Sequence, residues 1–298
     1  MAGGVETRAS VAVLVAAAAW GLYWLPLRAI ADAGIDAGWM PVLQCVTPAL
    51  LLAPFALWRL ARGRTTGLTP QPGAVAVGCA FALYADSLLL TEVARALILF
   101  YVTPAWSTAL EIVFLKRRLT WHRAGALALG FGGLLVILSR DGGLPLPSNL
   151  GDVLALLSGV AWAVGTLLMR KTQQDDTFAN VFSFFAFGSV AALLLALMPF
   201  PQMGQPPAWA ALLPVVPWLL LIGGSFLIPV TFVMLWGAKR LDPGRTGILF
   251  QVEAVFAVVS AAILTAEPFG WHEALGGCLV IAGALVEVTG RQPRAAAA

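Results

Sequence analysis

The sequence predicts an all-α polytopic membrane protein with ten transmembrane helices, arranged as two inverted five-helix repeats. Three observations predict this fold class. Of the 298 residues, 60% are hydrophobic and only 11% are charged, whereas about 25% of residues are charged in a soluble domain. Apolar runs of about 20 residues, the length that crosses a bilayer, alternate with short charged or Gly/Pro-rich connections. The sequence of residues 95–136 also recurs 150 positions later.

The apolar runs define the predicted spans, which are 10–31, 38–60, 73–92, 95–115, 122–139, 150–170, 178–199, 212–236, 245–265 and 271–289. Both termini are predicted to be cytoplasmic, because this orientation leaves 15 Lys and Arg residues inside and only Arg28, Arg95 and Arg140 outside. The net charge of +3 is therefore a topology signal. A lipid bilayer is the expected partner, and nucleic acid is not.

The internal duplication determines the predicted architecture. Twelve positions are identical between 95–136 and 245–286, among them Trp121-His122 and Trp271-His272, where roughly four would be expected by chance. We divide the chain into repeats at 1–143 and 144–298, each with five spans. An odd number of spans places the second repeat upside down in the membrane. Inverted repeats are typical of alternating-access transporters that hold their substrate near the membrane midplane.

Several short motifs resemble the drug/metabolite transporter superfamily and its ten-helix EamA-type exporters. These motifs are Trp20-Gly21 in the first span, Pro104 in the fourth, and Glu267 followed by Trp271-His272 and a Gly-rich last span. One departure is that Arg117 occupies the position that corresponds to Glu267, where the first repeat of the family often has a glutamate. The resemblance covers essentially the whole chain and implies a multi-pass protein of the bacterial inner membrane.

The resemblance also implies a function. The aromatic sequences WGLYW, beginning at Trp20, and FYVTPAW, beginning at Phe100, are similar to those of bacterial aromatic amino-acid exporters. We therefore expect a secondary transporter that exports aromatic and other large neutral amino acids through a central cavity walled by spans 1, 3, 4, 6, 8 and 9. Export of drug-like cations or other metabolites is the alternative. An intramembrane enzyme or a channel is disfavoured, because the sequence has no metal-ligand, nucleophile or cofactor motif and the repeat is inverted.

The substrate site should combine aromatic walls with a few polar groups. Trp20 and Trp162 form a pair near mid-span, and they line a cavity or fill the interface between the repeats. Tyr101 corresponds to Gln251 under the 150-residue shift, and Thr103 to Glu253. Positions 251 and 253 lie about 200° apart on a continuous helix, so only one can face the cavity, and we favour Gln251. The predicted substrate-binding residues are therefore Trp20, Tyr23, Tyr84, Tyr101, Trp162 and Gln251.

Carboxylates within apolar spans are functional candidates, because they are costly to place in a membrane. Asp86 and Glu253 are predicted partners for a substrate ammonium group or carriers of coupling protons, with a structural pair between Asp86 and Arg95 as the alternative. Glu111 and Glu287 are expected at the membrane edge. Pro26 and Pro104 interrupt their helices, which allows either gating or a packing kink.

The remaining motifs indicate structural roles. His122 and His272 follow a Trp at the start of spans 5 and 10, which favours anchoring at the interface over proton relay. Small residues at four-residue spacing in these spans favour close helix packing. The rows are Ala128 and Gly132 in span 5, and Ala274, Cys278 and Ala282 in span 10. They predict either an internal scaffold or the surface of a homodimer. No cofactor or metal is expected.

Overall fold

The computed structural model describes residues 2–23, 25, 30, 34–91, 93–138, 147–172, 176–199, 203–265 and 269–289. Within these ranges the regular elements are helices, and no β-strand occurs. The helices longer than four residues are α1 (Ala2–Trp20), α2 (Met40–Ala61), α3 (Pro72–Leu90), α4 (Val93–Phe100), α5 (Thr103–Phe114), α6 (Trp121–Leu138), α7 (Leu150–Lys171), α8 (Thr177–Ala196), α9 (Val216–Arg240), α10 (Pro243–Phe250), α11 (Val252–Thr265) and α12 (Trp271–Thr289).

Local sequence accounts for where these helices begin. Asn149 and Asp176 cap α7 and α8, where their side chains accept hydrogen bonds from the amides of Asp152 (2.9 Å) and Ala179 (3.1 Å). Other helices carry proline in the first turn, where the missing N–H costs nothing. Short connections between long apolar helices then build the bundle.

The length and apolarity of the helices are those of a multi-pass membrane protein. Six described helical stretches can cross a bilayer by length and composition: Met40–Ala61, Leu150–Lys171, Thr177–Ala196, Val216–Arg240, Pro243–Leu264 and Trp271–Thr289. Two shorter apolar stretches cover Pro72–Leu88 and Trp121–Ile137. The count of ten spans and the cytoplasmic position of the termini stay predictions.

Two of the predicted spans are each divided into two helices. The first break, at Tyr101 and Val102, separates α4 from α5, and the second, at Gln251, separates α10 from α11. The breaks lie 150 residues apart, at positions that correspond in the duplication. Pro104 follows the first break in the opening turn of α5. Pro26 lies outside the described residues.

The helix contacts also occur in corresponding pairs. The α3 helix packs along α7, and its counterpart α9 packs along α1. The α3 and α7 backbones approach closely at two glycines, since a Cβ on Gly165 would lie only 2.8 Å from the carbonyl oxygen of Gly73. Likewise α4 and α5 contact α7, as α10 and α11 contact α1. The predicted repeat boundary at 143/144 falls outside the described residues and stays a prediction.

Glycines join α6 to α12 within the chain. A Cβ on Gly133 would lie 2.5 Å from the carbonyl oxygen of Gly276, so neither position has room for a side chain. This contact uses a different face from the predicted row, since Ala128 is exposed and a Cβ on Gly132 would meet nothing within 4 Å. Spans 5 and 10 therefore do form an internal scaffold, but through other residues, and the homodimer stays a prediction.

Candidate functional site

A cavity lies among helices from both predicted repeats. Together with its mouth and the adjoining open solvent, it contains about 570 Å³ of space not occupied by protein atoms. Its walls come from the expected spans 1, 3, 4, 6, 8 and 9, with Phe184 of α8 added. The described lining residues are Trp20, Ala80, Phe81, Tyr84, Phe100, Tyr101, Thr103, Trp162, Phe184, Met234, Gly247, Phe250 and Glu253.

The cavity wall is mostly aromatic. On one side Trp20 meets Phe81 edge to face, with ring centroids 5.8 Å apart. On the other, Trp162 meets Phe250 in the same way at 5.3 Å. Aromatic rings in a cavity wall can pack against an apolar or cationic group. The wall therefore suits a substrate with an apolar or aromatic portion.

Glu253 brings a carboxylate to this aromatic wall. It lies in the first turn of α11, just after the helix break, and is partly buried. The hydroxyl groups of Tyr84 and Tyr101 interact with it electrostatically. In the described part of the chain Glu253 forms no salt bridge. A buried carboxylate with polar neighbours but no cationic partner can receive a cationic group from a ligand.

Four of the six predicted substrate-binding residues line the cavity, namely Trp20, Tyr84, Tyr101 and Trp162. Tyr23 lies behind this wall, where its ring stacks on Trp20 at 5.1 Å and on Phe226 at 5.7 Å. It supports the cavity wall and is not among the described lining residues.

Gln251 lies away from the cavity, and its predicted orientation was wrong. Its side chain is fully buried against Gly130 of α6, where a Cβ would collide with the amide. Because Gly130 has no side chain, the amide of Gln251 fits against it and points away from the cavity. Glu253, two residues later, then faces the cavity. In the first predicted repeat, both Tyr101 and Thr103 line the cavity. Both side chains can face the cavity because the chain breaks between α4 and α5. Residues two positions apart point in directions about 200° apart only on a continuous helix.

Asp86 is fully buried in α3, and neither carboxylate oxygen has a hydrogen-bond partner in the described part of the chain. It interacts electrostatically with the thiol of Cys45 in α2 and is not among the residues that line the cavity. The side chain of Arg95, its alternative predicted partner, lies outside the described structure.

A second group of charges joins the two predicted repeats at one end of the bundle. Arg123 of α6 lies 2.5 Å from Glu111 of α5 and 2.9 Å from Glu287 of α12. The amide of Gly244, at the start of α10, donates a hydrogen bond to Glu111 at 2.5 Å. We call these four residues the Arg123 cluster. The sequence indicated two carboxylates at a membrane edge but not their pairing, because the partners are distant in sequence.

Further ion pairs surround the Arg123 cluster. Asp242 lies 3.5 Å from Arg117 and 3.6 Å from Arg170, while Arg59 pairs with Asp176. We call this end of the bundle the basic end. It contains side chains that the sequence predicted to be cytoplasmic. His122 and His272, at the starts of α6 and α12, are not among the cavity-lining residues.

The sequence profile of the EamA-like transporter family matches residues 7–139 and 149–289. The chain belongs to the EamA-like transporter family. It is a multi-pass membrane protein, and its family points to transport and away from enzymatic catalysis. The match confirms the resemblance to this family that the sequence motifs predicted. The more specific resemblance to aromatic amino-acid exporters stays a prediction.

Curated relatives of this EamA-like protein are transporters. It is 27% identical to an uncharacterized transporter of Archaeoglobus fulgidus over 208 residues. The aligned region covers 69% of this chain and 70% of the relative. It is 25% identical to the biotin transporter of Escherichia coli strain K12 over 256 residues. The aligned region covers 84% of this chain and 83% of the relative.

A protein of known crystal structure has the same fold. It superposes on the EamA-like chain with a TM-score of 0.72 and 20% sequence identity, over 95% of this chain and 98% of its own. At this identity the similarity establishes the fold alone.

Proposed function

We propose that this EamA-like transporter exports small amphipathic metabolites across the bacterial inner membrane by alternating access, with aromatic and other large neutral amino acids as its cargo. The position of Glu253 in an aromatic cavity, where it interacts with Tyr84 and Tyr101, carries this proposal. Ten spans, an inverted repeat and cytoplasmic termini belong to the same proposal. A homodimer stays a prediction from the sequence.

Each part of an amino acid has a suitable partner in the cavity. The ammonium group pairs with the carboxylate of Glu253. The substrate carboxylate meets the start of α5 at Thr103, because a helix N-terminus carries partial positive charge. The side chain packs against the rings of Trp20 and Trp162. This assignment gives the substrate ammonium group a full opposite charge and the substrate carboxylate a partial one.

Asp86 and Glu253 are our candidates for proton coupling, and they differ in their position relative to the cavity. Glu253 can exchange a proton for a substrate ammonium group, because both would occupy the same carboxylate. Asp86 is outside the cavity lining, so a coupling role for Asp86 requires a conformational change that exposes it. Pro104, in the first turn of α5, is the candidate for bending at the first break.

Organic cations are the second candidate cargo. A carboxylate surrounded by aromatic rings binds a protonated amine without further help. The described lining contains no Lys, Arg or His that would pair with a substrate carboxylate. Biotin, the cargo named for the Escherichia coli relative, is a carboxylic acid. Glu253 would repel its ionised form, so we do not expect biotin to be transported here.

The test is counterflow in proteoliposomes that contain the purified chain, with and without a pH gradient. Labelled phenylalanine, tryptophan, alanine, glutamate, phenethylamine and biotin serve as probes. We expect saturable transport of phenylalanine and tryptophan that is lost in Glu253→Gln. The control is Glu273→Gln, which makes the same chemical change at the start of α12, in a residue that does not line the cavity.

The outcomes separate the two cargo classes. Transport of phenethylamine but not phenylalanine would replace the amino-acid proposal with the organic-cation one. Transport of none of the probes above the level of empty vesicles would contradict both. Equal losses in Glu253→Gln and Glu273→Gln would show that Glu253 has no specific role.

A further inference from the structure

The Arg123 cluster ties α5 to α10, two helices that alternating access must separate at this end. Glu111 and Glu287 are 1% and 5% exposed. Arg123 donates hydrogen bonds from Nε and Nη2 to the same oxygen of Glu287, at 3.1 and 2.9 Å, and uses Nη1 for Glu111. The cluster therefore fixes α5 and α6 of the first predicted repeat to α10 and α12 of the second.

A continuous seam between α5 and α10 leads from the cavity to this cluster. Thr103 and Gly247 both line the cavity. Beyond them, a Cβ on Gly247 would lie 3.1 Å from the Cα of Pro104, and one on Gly244 would lie 2.6 Å from Oγ1 of Thr108. One turn further, the Gly244 amide bonds to Glu111. Since the two helices are in contact along this line, the cavity is closed there.

The charges of the cluster balance within the protein. Arg245 is 3% exposed, interacts electrostatically with Glu287, and donates a hydrogen bond to the carbonyl oxygen of Val288 at 3.0 Å. Two arginines therefore face two glutamates. Separation of α5 from α10 would remove a charge-assisted hydrogen bond from Glu111 and expose its pairs to solvent.

The charges of this cluster are not repeated at the positions that correspond to it at the opposite end of the bundle. Under the 150-residue shift, Glu111 corresponds to Ala261, Arg123 to Glu273, and Ile137 to Glu287. The two ends of a transporter with inverted repeats exchange roles as it switches between conformations. At these corresponding positions the opposite end has one carboxylate, Glu273, and no arginine.

We propose that the Arg123 cluster is a gate at the basic end, which holds the cavity closed on that side and must separate before substrate passes there. The proposal rests on the alternating access of the proposed function, but not on the identity of the cargo. It assigns Arg123, Glu111 and Glu287 a role in the equilibrium between conformations, away from the substrate itself.

Accessibility of a single cysteine tests the gate without any substrate. In a background with Cys45, Cys79 and Cys278 replaced by alanine, Thr103→Cys places a thiol on the cavity wall next to the seam. A charged, membrane-impermeant maleimide is added to inverted or right-side-out membrane vesicles. The labelling rate then measures access from each end separately.

The main variant is Glu111→Gln/Arg123→Gln, which removes one charge of each sign and leaves Glu287 with Arg245. We expect labelling of the cysteine from the basic end to accelerate at least about tenfold, because the equilibrium shifts towards the state open at that end. Arg170→Gln is the matched control. It removes an arginine at the same end, but one whose acidic partner, Asp242, belongs to the same predicted repeat.

Arg123→Lys provides a second variant, since it retains the charge but loses the forked geometry. We expect a smaller acceleration with this change. Unchanged labelling in a double variant whose thermal unfolding shows it to be folded would overturn the proposal. Equal acceleration in Arg170→Gln would also overturn it, because that result would mean general loosening of the basic end. Failure of amino-acid transport would leave these outcomes unaffected.

Discussion

Glu253 and Glu111 lie on corresponding helices, α11 and α5, but in opposite electrostatic situations. Glu111 is almost fully buried, 2.5 Å from Arg123, and accepts a hydrogen bond from the amide of Gly244. Glu253 lines a cavity beside two tyrosines and forms no salt bridge in the described part of the chain. The difference separates a carboxylate whose charge is balanced by the protein from one that, in the proposed function, pairs with a ligand.

Removal of the shared cation should produce the largest effect on stability. Arg123→Ala leaves Glu111 and Glu287 buried without their common partner. Breaking a buried ion pair on one side costs about 3–5 kcal/mol. Thermal unfolding in detergent should show a large decrease in the unfolding temperature. A decrease no greater than that of Arg170→Ala would contradict the structural role of the cluster.

Neutralisation of each carboxylate should separate function from stability. Glu253→Gln should reduce the transport rate at least about tenfold, because a lost charge-assisted contact contributes about 1.5–3 kcal/mol. It should leave the unfolding temperature nearly unchanged. Glu111→Gln should lower the unfolding temperature more than it lowers the affinity for substrate. Paired transport and unfolding measurements on both variants check this, and the same profile in both would remove the distinction.

The tyrosine hydroxyls should contribute a smaller effect at the same site. In Tyr101→Phe the ring stays in the wall, but a polar neighbour of Glu253 is lost. A neutral hydrogen-bonding group contributes about 1 kcal/mol, so substrate affinity should fall about fivefold. The KM for counterflow measures this change. Tyr23→Phe is the control, because its ring lies behind Trp20, and a similar loss there would argue against a local effect at Glu253.

Gln251 should give the smallest effect of the series. In the part of the chain that the structure describes, both polar atoms of its side-chain amide are buried without hydrogen-bond partners. Replacement by a leucine of similar size removes unsatisfied polar groups and should leave stability unchanged or raise it by less than about 1 kcal/mol. Transport should stay within about twofold of the wild type. A tenfold loss of transport in Gln251→Leu would support the original sequence prediction over the observed geometry.

Sequence patterns anticipated the helices better than the directions of their side chains. Apolar runs reflect the thickness of a bilayer, and their positions agree with helices such as α2, α7 and α12. The prediction of which side chain faces the cavity, Gln251 or Glu253, was wrong for two reasons. It assumed a continuous helix, and Gly130 on another helix provides space for the Gln251 side chain. The Arg123 cluster was missed for a related reason. Its members lie up to 176 positions apart, and no local pattern connects them.

Binding of three related ligands tests the central claim most directly. Phenylalanine carries both charged groups, phenethylamine lacks the carboxylate, and 3-phenylpropionate lacks the ammonium group. Calorimetry on the purified chain should show that phenylalanine and phenethylamine bind, that 3-phenylpropionate does not, and that Glu253→Gln abolishes both interactions. Binding of 3-phenylpropionate as tight as that of phenylalanine, or binding unchanged in Glu253→Gln, would contradict a cavity organised around a carboxylate for a substrate ammonium group.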